Sequence, residues 1–295
     1  MSRQDRQIVV VGSTGRVGTL VCREWAQHPP GGARVLRQVR RERHDAQGPA
    51  LVWFPLDGPD VLLEHVEGTS PPAAMVVLAG VTPASGDHLE TNTHLALACL
   101  EAAAQAGIGR VLMASSSAVY GASGDHPFTE ADPLHPVNAY GEAKQRMEAA
   151  CAPWRDRGLE VCCLRIGNVL GADALMLNAA EASHDMPVRI DRFADGKGPL
   201  RSYIGPATLA RVLATLALRD GALPEVLNVA SRHPVTMNAL AEAAHLPWTW
   251  RPAPAQAHQR ITMDCSLLER LHPFQDGESD AARMVAQLDR VRTRA

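Results

Sequence analysis

The chain has 295 residues, enough for one large domain or for a domain with a smaller lobe. Hydrophobic residues make up 46% and the formal net charge is −3, the composition of an ordinary folded globule with no electrostatic case for a nucleic-acid partner. The first seven residues lead directly into an apolar strand, so a signal peptide is not expected; nor is a membrane helix, since no uncharged apolar run reaches about 18 residues.

Taken in chain order, residues 8–11 are a short β-branched run ending at Gly12, read as a buried strand. Residues 18–27 carry helical spacing, stopped by the Pro-Pro-Gly-Gly stretch at 29–32. Residues 35–39 and 51–56 read as the second and third strands, and the polar stretch 42–50 between them is too short for a full helix. A fourth strand is expected at 75–79, an Ala/Leu-rich helix at 89–106 closed by Gly107, and a fifth strand at 111–114. A helix at 140–152 and a strand at 161–166 follow. This rhythm predicts an α/β fold: a Rossmann-type, doubly wound parallel sheet with helices on both faces. Beyond Gly167 the pattern weakens, with helices expected at 207–218, 236–244 and 279–292 and a strand at 225–229. The expected division is a nucleotide-binding domain over 1–167, with 204–230 returning to it, and a smaller C-terminal substrate lobe from 168–203 and 231–295.

Four segments carry chemistry. Gly12-Ser13-Thr14-Gly15-Arg16-Val17-Gly18 follows a strand and opens a helix, where glycines bring backbone N–H groups close to a pyrophosphate and the helix N-terminus favours the anion. At the end of the second strand stand Arg40 and Arg41, where an NAD site usually places an acidic residue. Arginine suits a ribose 2′-phosphate, so NADP is favoured over NAD, with Arg16 within reach of the same phosphate. Tyr140 and Lys144 lie four apart on a predicted helix and so share a face; an ammonium beside a phenol favours the phenolate and makes the tyrosine a usable acid or base. The chain has only two lysines, Lys144 and Lys197, which adds weight to that position. Ala114-Ser115-Ser116-Ser117-Ala118-Val119-Tyr120-Gly121 lies at the carboxyl end of the fifth strand, where a hydroxyl can bond a substrate oxygen. A nucleophilic-serine hydrolase is excluded by the absence of a G-x-S-x-G elbow. Neither HExxH nor a Cys/His cluster with metal spacing occurs, and the six cysteines, with no CxxC pair, suit a reduced cytoplasmic protein.

Together with Leu78-Ala79-Gly80 and Leu164-Arg165-Ile166-Gly167-Asn168-Val169, these motifs resemble the extended short-chain dehydrogenase/reductase family of the sugar-nucleotide epimerase/dehydratase type. The resemblance runs from about residue 8 to 170 and continues weakly to about 270. It implies Ser116, Tyr140 and Lys144 as catalytic residues, with Tyr140 as acid/base and Lys144 binding the nicotinamide ribose. It implies cofactor contacts at Gly12, Thr14, Gly15, Arg16, Val17, Gly18, Arg40, Asp57 (to adenine), Ala79, Gly80, Asn92 (supporting the site) and Gly167. Ser117, Asn168 and Arg201 are the implied substrate contacts. The segment Arg201-Ser202-Tyr203-Ile204-Gly205-Pro206-Ala207-Thr208 departs from the family pattern by lacking both of its acidic positions. The expected function is NAD(P)-dependent hydride transfer on a hydroxyl or carbonyl carbon of a small molecule, with a sugar nucleotide among the substrates the resemblance implies. The alternative is a non-enzymatic NADP(H)-binding redox sensor or regulatory protein, for which the intact Ser/Tyr/Lys set has no use. A homodimer pairing helices 89–106 and 140–152 is also implied, although the same small-residue stripes would serve to pack those helices on their own sheet.

Overall fold

The computed structural model describes residues 6–42, 47–83, 88–122 and 126–293; Arg43 and the middle of the polar stretch 42–50 lie outside them. In chain order the first half contains β1 (Gln7–Val11), α1 (Arg16–Gln27), β2 (Arg34–Val39), β3 (Ala50–Val52), α2 (Asp60–Val66), β4 (Ala74–Val77), α3 (Thr91–Gln105), β5 (Arg110–Ser116), α4 (Ala139–Arg155) and β6 (Glu160–Ile166). The second half contains β7 (Asn168–Val169), α5 (Ala174–Ala179), β8 (Val188–Arg192), β9 (Leu200–Arg201), β10 (Tyr203–Ile204), α6 (Pro206–Leu218) and β11 (Val226–Val229). It closes with β12 (Val235–Thr236), α7 (Met237–Ala243), β13 (Trp248–Pro252), β14 (Arg260–Ile261), α8 (Ser266–Leu271) and α9 (Ala281–Thr293).

Seven strands pair in parallel in the order β11-β6-β5-β4-β1-β2-β3. Strand alternation feeds two cores, because successive side chains leave a strand on opposite faces. Ile8 and Val10 of β1, with Val76, Leu112 and Leu164, enter the core beneath α1 and α6. Val9 and Val11, with Met75, Val77, Val111 and Met113, enter the core beneath α3 and α4. This is why the strands read as continuous apolar runs. The order of the sheet reverses direction beside β1, so the carboxyl ends of β1 and β4 diverge and open a crevice there.

The expected major elements occur, with shifted ends. The third strand stops at Val52, and Pro55 begins a 3-10 turn at Pro55–Asp57; proline has no N–H to give the ladder. The fourth strand stops at Val77, because the amides of Leu78 and Ala79 both turn to the Val11 carbonyl and carry the chain over the crevice. One helix, α2, is not foretold by the sequence pattern, and its one fully buried side chain is Leu62. Also unexpected are β7, β9, β10, β12 and β14, whose two residues each carry no periodicity, and the five-residue strands β8 and β13. These strands form three small sheets, β10-β7, β12-β9-β14 and β13-β8. The terminal helix α9 packs against α6, α7 and α1. All six cysteines are buried and none is in a disulfide.

Candidate active site

A cavity of about 650 Å³ lies at the carboxyl ends of β1, β4, β5 and β6. It runs from Gln38, Arg40, Phe54, Pro55 and Leu56 at the β2 side to Asn168, Val169, Ala172 and Asp173 beyond β6. At its centre the glycine turn connects β1 to α1. Gly12 holds φ +83°, and a Cβ there would sit 2.4 Å from the Ala79 amide nitrogen, so the turn and the 78–80 segment approach as only glycine allows. Gly18 lies buried beneath the turn rather than on the cavity wall, and a Cβ on it would strike the Gly12 carbonyl. The N-cap of α1 is Gly15, with no side-chain cap, so the first-turn N–H groups face the cavity end of the helix without a side-chain acceptor.

The turn is stapled by a residue outside the sequence motifs. Buried Gln38 accepts from the Gly12 amide at 2.9 Å and donates to the Trp53 carbonyl, while Ser13 donates to the Gln38 carbonyl. Gln38 stands two residues before Arg40, and that period-two spacing was the available signal.

Tyr140 and Lys144 come from α4, whose N-terminus is capped by Asn138 accepting from the Gly141 amide at 2.9 Å. A Cβ on Gly141 would lie 2.4 Å from the Ala118 carbonyl, so this glycine lets the first turn of α4 sit against the 3-10 turn at Ser117–Val119. Lys144 is 4% exposed. Its Nζ donates to the Ala114 carbonyl at 2.9 Å, and it lies so close to Gly80 that a Cβ there would be 3.2 Å from it. Burial brings the ammonium down to about 8, opposed by the nearby Cys163, Cys151 and Glu148. Burial also raises the Tyr140 phenol, while a hydrogen bond with Ser116 and the charge of Arg16 pull it back. Ser116 Oγ additionally accepts from the Ala118 amide at 3.2 Å.

Below this centre runs a buried polar network. Glu148, one turn beyond Lys144, accepts from Ser115 Oγ at 2.5 Å and from Arg165, whose Nη2 lies at 2.8 Å. Arg165 donates onward to the Tyr120 hydroxyl at 2.9 Å, and Tyr120 donates to Asn228 Oδ1 at 2.7 Å. The network ties β5, α4, β6 and β11 together directly under the serines.

Of the expected residues, Gly12, Thr14, Gly15, Arg16, Val17, Arg40, Ala79, Gly80, Ser116, Tyr140, Lys144, Gly167 and Asn168 all line the cavity. Asn92 supports it from behind: buried, it accepts from the Val81 amide and donates to the Val81 and Leu89 carbonyls. Asp57 does not line it. It is exposed in the 3-10 turn, and the wall there is Phe54, Pro55 and Leu56. Ser117 also stands off the wall, because the 3-10 turn carries it past the end of β5. Arg201 is elsewhere altogether: its guanidinium donates to the carbonyls of Leu200, Gln259 and His258 and fastens β9 to the chain before β14. Asp173 was not foreseen; it lines the cavity while capping α5 through the Leu175 and Met176 amides, and burial raises its carboxyl.

The parallel sheet, the glycine turn at its switch point and the Ser/Tyr/Lys cluster define a Rossmann-type α/β protein with a crevice at the carboxyl ends of its strands. A family model for the NAD dependent epimerase/dehydratase family matches residues 8–230, and the chain belongs to that family. Among curated relatives, the UDP-glucose 4-epimerase of Lactobacillus helveticus is 27% identical over 177 residues, 57% of this chain and 53% of the relative. The 2'-dehydrokanamycin reductase of Streptomyces kanamyceticus is 27% identical over 246 residues, 81% of this chain and 66% of the relative. The chain thus spans about half the length of the epimerase and two thirds of the reductase. The crystal structure of UDP-glucose-4-epimerase from Stenotrophomonas maltophila, with bound NAD and formylated UDP-arabinopyranose, superposes with a TM-score of 0.77 at 20% identity, over 98% of this chain and 99% of that one. It shares the fold. Among the described residues, no helix is long and apolar enough to cross a membrane.

Proposed function

We propose that this chain is an NAD(P)-dependent oxidoreductase of the epimerase/dehydratase type, acting on a hydroxyl or carbonyl carbon of a sugar-like substrate. The observation that carries the reading is that Ser116 at the end of β5 and the Tyr140–Lys144 pair of α4 line one cavity with the glycine turn, which is remote from them in sequence. The residues present fit a dinucleotide. The side chain missing at Gly12, the α1 terminus without a side-chain cap, and the reach of the crevice from Arg40 to Asn168 leave room for its phosphates and both ends. When bound, the cofactor supplies the hydride acceptor or donor.

The protein's own residues do the rest. Gly12, Thr14, Gly15 and Val17 face the phosphates, Gly80 and Gly167 the chain of the dinucleotide, and Lys144 its ribose. Ser116 bonds the reacting substrate oxygen, and Tyr140 takes or returns the proton on that oxygen as the carbon is oxidised or reduced. Lys144, buried and anchored on Ala114, keeps a positive charge beneath the site at neutral pH. Arg40, exposed at the cavity's β2 end with no acidic residue beside it in the strand, favours NADP over NAD. Asn168 meets the substrate. A sugar nucleotide fits the family, with its diphosphate held by groups other than Arg201, whose donors are already engaged with backbone carbonyls. We further infer a cytoplasmic homodimer, with α3 and α4 as the pairing face.

The test is a titration of the purified protein with NADPH and NADH by nicotinamide fluorescence, followed by turnover on UDP-hexoses and oxidised sugars. Tyr140→Phe should bind cofactor normally and lose about 100-fold or more of turnover. Full activity in that variant would end the proposed mechanism. Absence of binding, with no nucleotide released on denaturing the protein, would end the cofactor assignment.

A further inference from the structure

The β2 end of the cavity is lined by Phe54, Pro55 and Leu56, and by Thr91 and Leu95 of α3, which packs against the 3-10 turn at Pro55–Asp57. Two of these side chains are large, apolar and open to solvent: Phe54 is 38% and Leu56 42% exposed. Apolar surface inside a concave wall is stabilised when a flat aromatic group covers it, and a base stacked on a phenyl ring gains more than the buried area alone. Val52, two residues before Phe54, is exposed as well but stays off the wall.

The same end offers little to read the exocyclic amine of adenine. Among the described residues that line it there is no carboxylate. Asp57, where the family resemblance places the adenine contact, is exposed and off the wall. Gln38 is buried, and its amide is committed at both ends, Oε1 to the Gly12 amide and Nε2 to the Trp53 carbonyl. The carbonyls of Phe54 and Pro55 accept from the Asp57 and Gly58 amides within the turn. Arg40 can only donate, and the Thr91 hydroxyl rotates to donate or accept and so prefers neither.

We propose that this chain holds the purine of its cofactor by apolar contact with Phe54 and Leu56 and does not read the exocyclic amine, so that a dinucleotide lacking that amine binds as well as the adenine form. Phe54 and Leu56 are then the residues that recognise the base, and Asp57 takes no part. The inference rests on reading the cavity as a dinucleotide site. An amine is rejected or demanded only where a buried partner would otherwise be left unpaired. Here the acceptors nearest the wall already have partners of their own, and the amine is left to solvent whether or not the base carries it.

The probes are the reduced adenine cofactor, NADPH or NADH, and its counterpart with unsubstituted purine in place of adenine, which loses only the exocyclic amine. Both are titrated into the full chain by nicotinamide fluorescence, and they should bind within about threefold of each other. Phe54→Ala and Leu56→Ala should each weaken both probes about tenfold and leave their ratio unchanged, with the urea midpoint unmoved because both side chains are exposed. Val52→Ala and Asp57→Ala, off the wall, should change neither affinity. A purine form weaker by more than about threefold would overturn the proposal. So would full affinity in both Phe54→Ala and Leu56→Ala, or a loss confined to the adenine form in Asp57→Ala. In each of those cases the adenine cofactor still binds and the oxidoreductase reading stands. Absence of binding by every dinucleotide would end that reading and this inference with it.

Discussion

Replacing Lys144 by Met should make the protein more stable and less active, and the gain should depend on pH in a direction fixed by burial. Lys144 is 4% exposed and its ammonium is brought from 10.5 down to about 8, chiefly by desolvation. Its folded value is thus below its unfolded one. Below pH 8 both states carry the proton, and the folded state bears a penalty on the order of 3 kcal/mol, at about 1.4 kcal/mol per pH unit. Between pH 8 and 10.5 the folded state sheds its proton first, so the wild type gains stability there as the penalty fades. Met has a similar length and no charge, but it forfeits the bond to the Ala114 carbonyl, a loss of about 1 kcal/mol. The net expectation is a variant about 2 kcal/mol more stable at pH 7, with the advantage gone or reversed near pH 10. Urea unfolding of both proteins at pH 7, 8.5 and 10 measures it, and other titrating groups cancel in the difference. A variant less stable than wild type at pH 7, or a difference that does not move with pH, would refute the reasoning. Cofactor affinity and turnover should fall in the same variant, the expected cost of keeping a buried cation for function.

Gly80→Ala would put a Cβ 2.9 Å from Asn92 Oδ1 and 3.2 Å from Lys144 Nζ; displacement of the lysine should weaken NAD(P)H binding at least tenfold, read by fluorescence titration. Arg40→Ala should weaken NADPH at least about tenfold, or about 1.4 kcal/mol, and leave NADH unchanged; an equal effect on both would remove the NADP preference. Glu148→Ala would leave Arg165 buried without its carboxylate and Ser115 without its acceptor, a loss of about 3–5 kcal/mol in chemical denaturation.

The glycine turn, the tyrosine–lysine pair and the serine strand end were legible because each is a local device. A turn needs its glycines at fixed offsets, a helix brings residues four apart onto one face, and a parallel sheet exposes its strand ends on one side. Asn168 was legible through its neighbours in a recognised strand. Asp57 and Ser117 are carried off the cavity wall by a 3-10 turn each, a backbone detail of two or three residues that leaves no periodic trace. Arg201 lies away from the cavity for a different reason. Its residue type suits an anion, but whether a guanidinium meets a ligand or three carbonyls depends on the chain near 258–259, which folding alone brings beside it.

By itself the sequence determined the alternation of strands and helices, the parallel sheet and the three residues of the proposed reaction centre, since these follow from spacing and side-chain chemistry along short stretches. Only the tertiary structure decided where long polar side chains go. Gln38 became the staple of the glycine turn, Glu148 and Arg165 the buried brace beneath the serines, and Arg16 a strap toward Ala172 instead of a neighbour of Arg40. Such side chains are flexible, and their partners lie tens of residues away. The burial that makes each hydrogen bond matter exists only once the sheet and helices have closed around it.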